Sequence, residues 1–150
     1  MSNSNNFKNT QSAEIINCVY RNAQMAAESS GDVLKHCRDS RLSREITEQQ
    51  QRYRTVASRA RQELARRGVH PKQVAPYAKT MAKMGIAMKT ARNPRSANIA
   101  RIMFRGTTMG IIDMQHTINR AHCADPAVRE SAERLLAREQ DFCDHLKRYL

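Results

Sequence analysis

The amino-acid sequence predicts an all-α protein: an antiparallel four-helix bundle with a shorter fifth, crossover helix. Three observations carry this. The 150 residues hold only five Gly and four Pro, too few for turn-dense β architectures, and the remainder is rich in Ala, Arg, Gln, Glu, Leu, Ile and Met, mostly good helix formers. Apolar residues recur at helical spacing over long segments, with no strand-like alternation. Start and stop signals for helices punctuate the segments at regular intervals. A chain of this length suits one domain with a core of its own. Residues 1–11 (MSNSNNFKNTQ) are polar and rich in Asn and Ser, and read as a disordered tail ahead of a single bundle domain over 12–150.

The first helix is expected from Ser12 to about Arg38. Ile16, Ala23, Ser30 and Cys37 recur every seven residues, with Val19, Ala26 and Val33 among those filling the intermediate positions. Asp39 or Ser40 caps a second helix over Arg41 to about Arg67, whose stripe is Leu42, Ile46, Gln49, Tyr53, Val56, Ala60 and Leu64. Gly68 after the basic turn Arg66-Arg67 stops it. Val69 to Pro76 is a connector. A shorter helix follows from about Pro76 to Arg92, with Tyr77, Met81, Met84 and Met88 on one face, and with Lys79, Lys83 and Lys89 largely off it. Asn93-Pro94 then places an N-cap before a proline at the first helical position, opening a helix to about Ala121. Ala124-Asp125-Pro126 repeats that signal for the last helix, which reaches the C-terminus on Val128, Ala132, Leu135, Glu139, Phe142, Leu146 and Tyr149.

Long helices of about 25 residues extend roughly 40 Å. The short connections near 39–40 and 122–125 make two antiparallel hairpins, and the short middle helix carries the chain between them as a fifth helix or as the long crossover of a ferritin-like bundle. No stretch approaches the roughly 18 apolar residues of a membrane span. The N-terminus shows no hydrophobic leader, and the four cysteines (Cys18, Cys37, Cys123, Cys143) form no C-x-x-C pair, so reduced thiols and a cytoplasmic location are expected. The doublets His36-Cys37 and His122-Cys123 fall at opposite ends of the bundle and do not share a metal. Met81, Met84 and Met88 read as core filler.

Polar residues that interrupt apolar faces are the candidate functional positions. Glu139 lies near the centre of the last stripe, among Ala132, Leu135, Phe142 and Leu146. A buried carboxylate is costly unless it is paired, hydrogen-bonded, protonated or metal-bound. Gln49 holds the same kind of place between Ile46 and Tyr53. With helices running alternately up and down, Gln49 lies about 12 Å and Glu139 about 17 Å below the same end, so the amide can donate to the carboxylate. Asp113 shares a side with Ile102, Gly106 and Met109, with His116 one turn on, nearer the other end. Cys18 points away from the stripe of its helix.

The formal charge is +12, from 26 basic and 14 acidic residues, and 19 of the basic residues are Arg. Such a field suits polyanions or an acidic partner. With no helix-turn-helix spacing, zinc finger or aromatic platform, only non-specific nucleic-acid binding is open to it.

Met109-Gly110-Ile111-Ile112-Asp113, Ala124-Asp125-Pro126, Glu139 and the ending Leu146-Lys147-Arg148-Tyr149-Leu150 resemble an uncharacterised family of small bacterial ferritin-like helical-bundle proteins. The resemblance covers nearly the whole chain after the tail, and it implies a ferritin-like shape without an assigned activity. Ferritin-like di-metal sites use a Glu on two helices and Glu-x-x-His on two others. Here Asp113-x-x-His116 stands as a relic of one pair. Glu139 is followed at the third position by Phe142, on the second helix Glu45 and Glu48 flank the stripe while Gln49 occupies it, and Glu28 points away from the core. With no nucleophile–base pair, phosphate loop or H-E-x-x-H motif, catalysis has little support.

The leading reading is therefore a non-enzymatic binding or assembly module with a degenerate ferritin-like site, with no cofactor expected. The alternative is a protein binding iron or manganese through Glu139, Asp113 and His116, with Gln49 as a buried polar partner. Nucleic-acid binding by the Arg-rich surface is the third. Self-association or a protein partner is expected, with Ile86 and Ile112 as apolar positions lying off their stripes.

Overall fold

The structure, a computed structural model, describes residues 2–73 and 93–150 and, between them, residues 79, 82, 83, 85–87, 89 and 90. Four long helices form a bundle: α1 (Ser2–Leu34), α2 (Ser40–Arg66), α3 (Ser96–Arg120) and α4 (Pro126–Leu146), with a single 3-10 turn at Lys147–Tyr149. The described residues between 79 and 90 are helical, in the region expected to hold the crossover helix. Tyr77, Met81, Met84 and Met88 lie outside the described residues. No helix among the described residues is long and apolar enough to cross a membrane.

The helix boundaries follow their local chemistry. Asp39 accepts from the backbone N–H groups of Arg41 and Leu42, both at 3.0 Å, which caps α2. Gly68 ends α2 with φ of 66°, a left-handed conformation that glycine adopts without steric cost. Asp125 accepts from Ala127 N–H and Pro126 opens α4.

Two starts differ from expectation. Residues 2–10, expected to be disordered, are exposed but continue α1 to Ser2. Extending a packed helix avoids the cost of nucleating one. Arg67 Nη1 also reaches Asn9 Oδ1 at 3.0 Å. At the other site α3 begins at Ser96, not at Pro94. Asn93 folds its Oδ1 back on Arg95 N–H (3.2 Å), making a local turn in place of a cap.

The direction of each helix can be read from what it packs against. Ile16 and Tyr20 meet Ala60 and Leu64, while Val33 meets Leu42 and Ile46, so α1 and α2 are antiparallel. Met114 and Ile118 pack with Ala132 and Leu136, and Ile99 and Met103 with Phe142 and Leu146, so α3 and α4 are antiparallel too. Helix α1 is central. Its Ile15 and Cys18 lie in the cluster of α3 and α4, and its backbone approaches those of α2, α3 and α4. This explains Cys18. A helix flanked on two sides needs two inward faces, and Cys18 (1% exposed) belongs to the second.

Two other faces differ from the pattern reading. Gly106, Met109 and Asp113 lie on an exposed side of α3, while Ile99, Met103, Thr107, Met114 and Ile118 are buried. Apolar residues occur on nearly every side of this helix, so periodicity does not select the buried one. On α4 the core residue is Leu136, and Leu135 is half-buried at the surface of a groove. Ile86 packs against the core cluster around Ile99, whereas Ile112 is 59% exposed.

Candidate functional site

Glu139 is buried at mid-bundle, and α2 supplies what it needs. Gln49 Nε2 donates to Oε1 at 3.2 Å and the Tyr53 hydroxyl donates to Oε2 at 2.8 Å. Gln49 and Tyr53 are four residues apart, so both project from one face of α2, one turn from each other. The Thr107 hydroxyl of α3 faces the Tyr53 phenol and completes a polar layer built by three helices.

This layer lies in surroundings that disfavour charge. Burial raises the carboxyl of Glu139 to about 7, against the lowering effect of the Tyr53 hydrogen bond. Burial and the neighbouring Glu139 charge hold the Tyr53 phenol well above its ordinary value. Tyr53 therefore stays protonated and acts as a donor. Near neutral pH the Glu139 carboxyl exchanges its proton with little bias.

A cleft of about 740 Å³ opens above the layer, between α1, α3 and the described residues of the 79–90 segment. Val19, Met25, Ile102, Met103 and Met109 are among its apolar lining residues, Glu139 and Tyr53 lie at its buried end, and the exposed Asp113 stands at its rim.

The structure brings Gln49 and Glu139 together and keeps Asp113 and His116 apart from them. Asp113 is engaged with α1: its Oδ2 accepts from Asn22 Nδ2 at 2.8 Å and from Cys18 Sγ at 3.3 Å. Thr117 Oγ1 donates to the same sulfur at 3.5 Å. His116 is exposed on α3. Around Glu139 stand hydrogen-bond donors, not the additional carboxylates and imidazoles of a di-metal centre. Among the described residues no three His, Cys, Asp or Glu side chains gather in a way that could hold a metal ion.

Sequence reasoning missed Tyr53 and Thr107 as members of the layer. A signal for Tyr53 was present: a buried tyrosine needs a partner for its hydroxyl, and this one lies one turn from Gln49. Thr107 carried none, because the inward face of α3 was ambiguous.

All four cysteines are free thiols. Burial raises the thiol pKa of Cys18, Cys37 and Cys143. Cys123 is exposed at the α3–α4 turn. Reactivity requires thiolate and access. Iodoacetamide labelling under native conditions, followed by mass spectrometry, is expected to modify Cys123 first and to leave Cys18 and Cys143 unmodified until the protein is unfolded.

Comparison of the chain with protein-family models, curated proteins and solved structures finds no match in any of the three.

Proposed function

We propose that the protein is a non-enzymatic binding or assembly bundle of ferritin-like connectivity, in which the central acid has become part of the hydrogen-bonded core. Two antiparallel hairpins joined by one long connection, over 67–95, are the arrangement of ferritin-like bundles, and this supports the connectivity. The observation that carries the functional reading is the pairing of both Glu139 oxygens with donors on α2. A carboxylate serving as a metal ligand would be held among other anionic or imidazole ligands. Here it is held by an amide N–H and a protonated phenol.

Metal analysis by mass spectrometry tests this. Protein purified without chelator, and then exposed to Fe(II) or Mn(II), is expected to hold well below one metal per chain and to match Glu139→Gln. Stoichiometric iron or manganese that Glu139→Gln abolishes would overturn the reading and assign Glu139, with Asp113 and His116 as the next candidates, to a metal site.

A further inference from the structure

Helix α4 is tied to α2 at the Glu139 layer and at Leu146, but its backbone approaches α1 more closely, and α2 and α4 part between that layer and the α3–α4 turn. Ala132, small and buried on α4, packs in the cluster that joins α4 to α1 and α3. Between α2 and α4 lies a groove of about 890 Å³. Its floor is α1, through Ile16 and Val19, and its walls include Val56 on α2 and Val128 and Leu135 on α4. All of these except Ile16 are only half-buried.

The rims are basic on both sides. Arg59 and Arg66 stand exposed on α2, and Arg134 and Arg138 stand exposed on α4. The acids within the groove are already used: Glu63 meets Arg66 at 3.4 Å and Arg67 at 3.1 Å, and Asp125 lies 3.8 Å from Arg67. Arg134 pairs with Glu130 on the outer surface. Among the described residues, Arg59 and Arg138 have no carboxylate within ion-pair distance. They stand at different heights on the two rims of the groove, with their charge unspent.

We propose that this groove docks an acidic amphipathic helix of a partner protein. The lining runs from Val56 to Arg67 on α2 and from Ala127 to Arg138 on α4, about 16 Å or three helical turns. A helix with apolar residues at i, i+3/i+4 and i+7 would lay that stripe on Val19, Val56, Val128 and Leu135. Glu or Asp on its flanks would reach the guanidinium groups, which bind carboxylates in a two-pronged geometry. A second copy of this chain is a poor occupant, because its formal charge is +12 and it would meet arginine with arginine. Nucleic acid fits poorly, because none of the lining residues is aromatic and the floor offers apolar side chains where a strand needs stacking partners or cations. This inference names the partner class of the binding reading above and rests on it.

The test uses the full chain and a labelled, end-capped amphipathic peptide of about 18 residues, with Leu on the stripe and Glu on its flanks. A scrambled peptide of the same composition and a short DNA duplex serve as comparisons. At near-physiological salt the stripe peptide is expected to bind saturably, and its amide-shift perturbations to centre on Val19, Val56 and Leu135. The scrambled peptide should bind at least about tenfold more weakly, and Arg59→Glu/Arg138→Glu should weaken the stripe peptide by a similar factor. Arg44→Glu/Arg148→Glu, an equal charge change away from the groove, should leave affinity within about twofold. Equal binding of both peptides, equal loss from the two variants, tighter binding of the duplex, or no saturable binding would each overturn the proposal. None of these outcomes bears on Glu139, whose role is read by metal content and by the pH profile of stability.

Discussion

Glu139→Gln is expected to stabilise the protein at alkaline pH and to lose that advantage in acid. The Glu139 carboxyl moves from an ordinary 4.5 to about 7 on folding. A group whose pKa is raised in the folded state favours folding fully below its unfolded value, and that contribution is lost as the pH rises through the folded value. Wild-type protein therefore loses stability between about pH 4.5 and pH 7, while the amide variant, neutral throughout, does not follow. The shift corresponds to about 3 kcal/mol of difference, a sizeable part of the roughly 5–15 kcal/mol that holds a domain together. Urea unfolding of both proteins at about pH 5 and about pH 8 measures it directly, since every other titrating group cancels in the comparison. Tyr53→Phe sharpens the test. Removing the hydroxyl that favours the ionised carboxylate should move the wild-type loss to higher pH. A stability difference between wild type and Glu139→Gln that does not vary with pH would show the acid to be ionised and compensated.

Leu146→Ala should produce an effect of similar size from packing alone. Leu146 is completely buried where the last turn of α4 meets Val33, Leu42, Ile46 and Ile99, so one side chain joins the ends of all four helices. Leucine-to-alanine truncation at rigid core sites costs about 3 kcal/mol or more, through lost transfer energy and the cavity left behind. That corresponds to a fall in melting temperature of roughly 10 °C for a domain of this size. Leu150, 58% exposed four residues later, serves as the control, and its truncation should change stability by less than about 0.5 kcal/mol. Calorimetry on the two variants decides it: near-equal melting temperatures would mean that the end of α4 is not docked as described.

Much of this architecture can be read from the chain because its signals are local. Asp39, Gly68 and Asp125-Pro126 each act on their own helix end, and each lies where the helix ends. The Glu139–Gln49 meeting is legible for a different reason: rise per residue and helix direction together fix depth, so two polar residues at similar depth on facing stripes have little choice of partner. What was not legible depends on neighbours. Cys18 lies off the single stripe that periodicity gives its helix, and only the packing of α1 against α2 on one side and the α3–α4 hairpin on the other gives it a second inward face. Asp113 looked inward because α3 is apolar on almost every side, so the burial of Ile99 and Met103 decides which face is covered. The helix over residues 2–10 has no apolar pattern at all, and it exists as an extension of a segment that packs.

The central position of α1 also sets how unevenly the chain can tolerate change. Ser12, Ala13, Ala23, Ala27 and Ser30 are all buried along it, and the two serine hydroxyls bond back to carbonyls of their own helix, so these sites hold little beyond backbone. At Gly31 even a methyl group would come within 3.0 Å of Gln50 Nε2, which is itself bonded to Ala27 O. An added methylene at these buried sites has to be accommodated by the helices packed against it. Sequence drift should therefore concentrate on the outer surfaces of α2 and α4, while the small residues of α1 remain small.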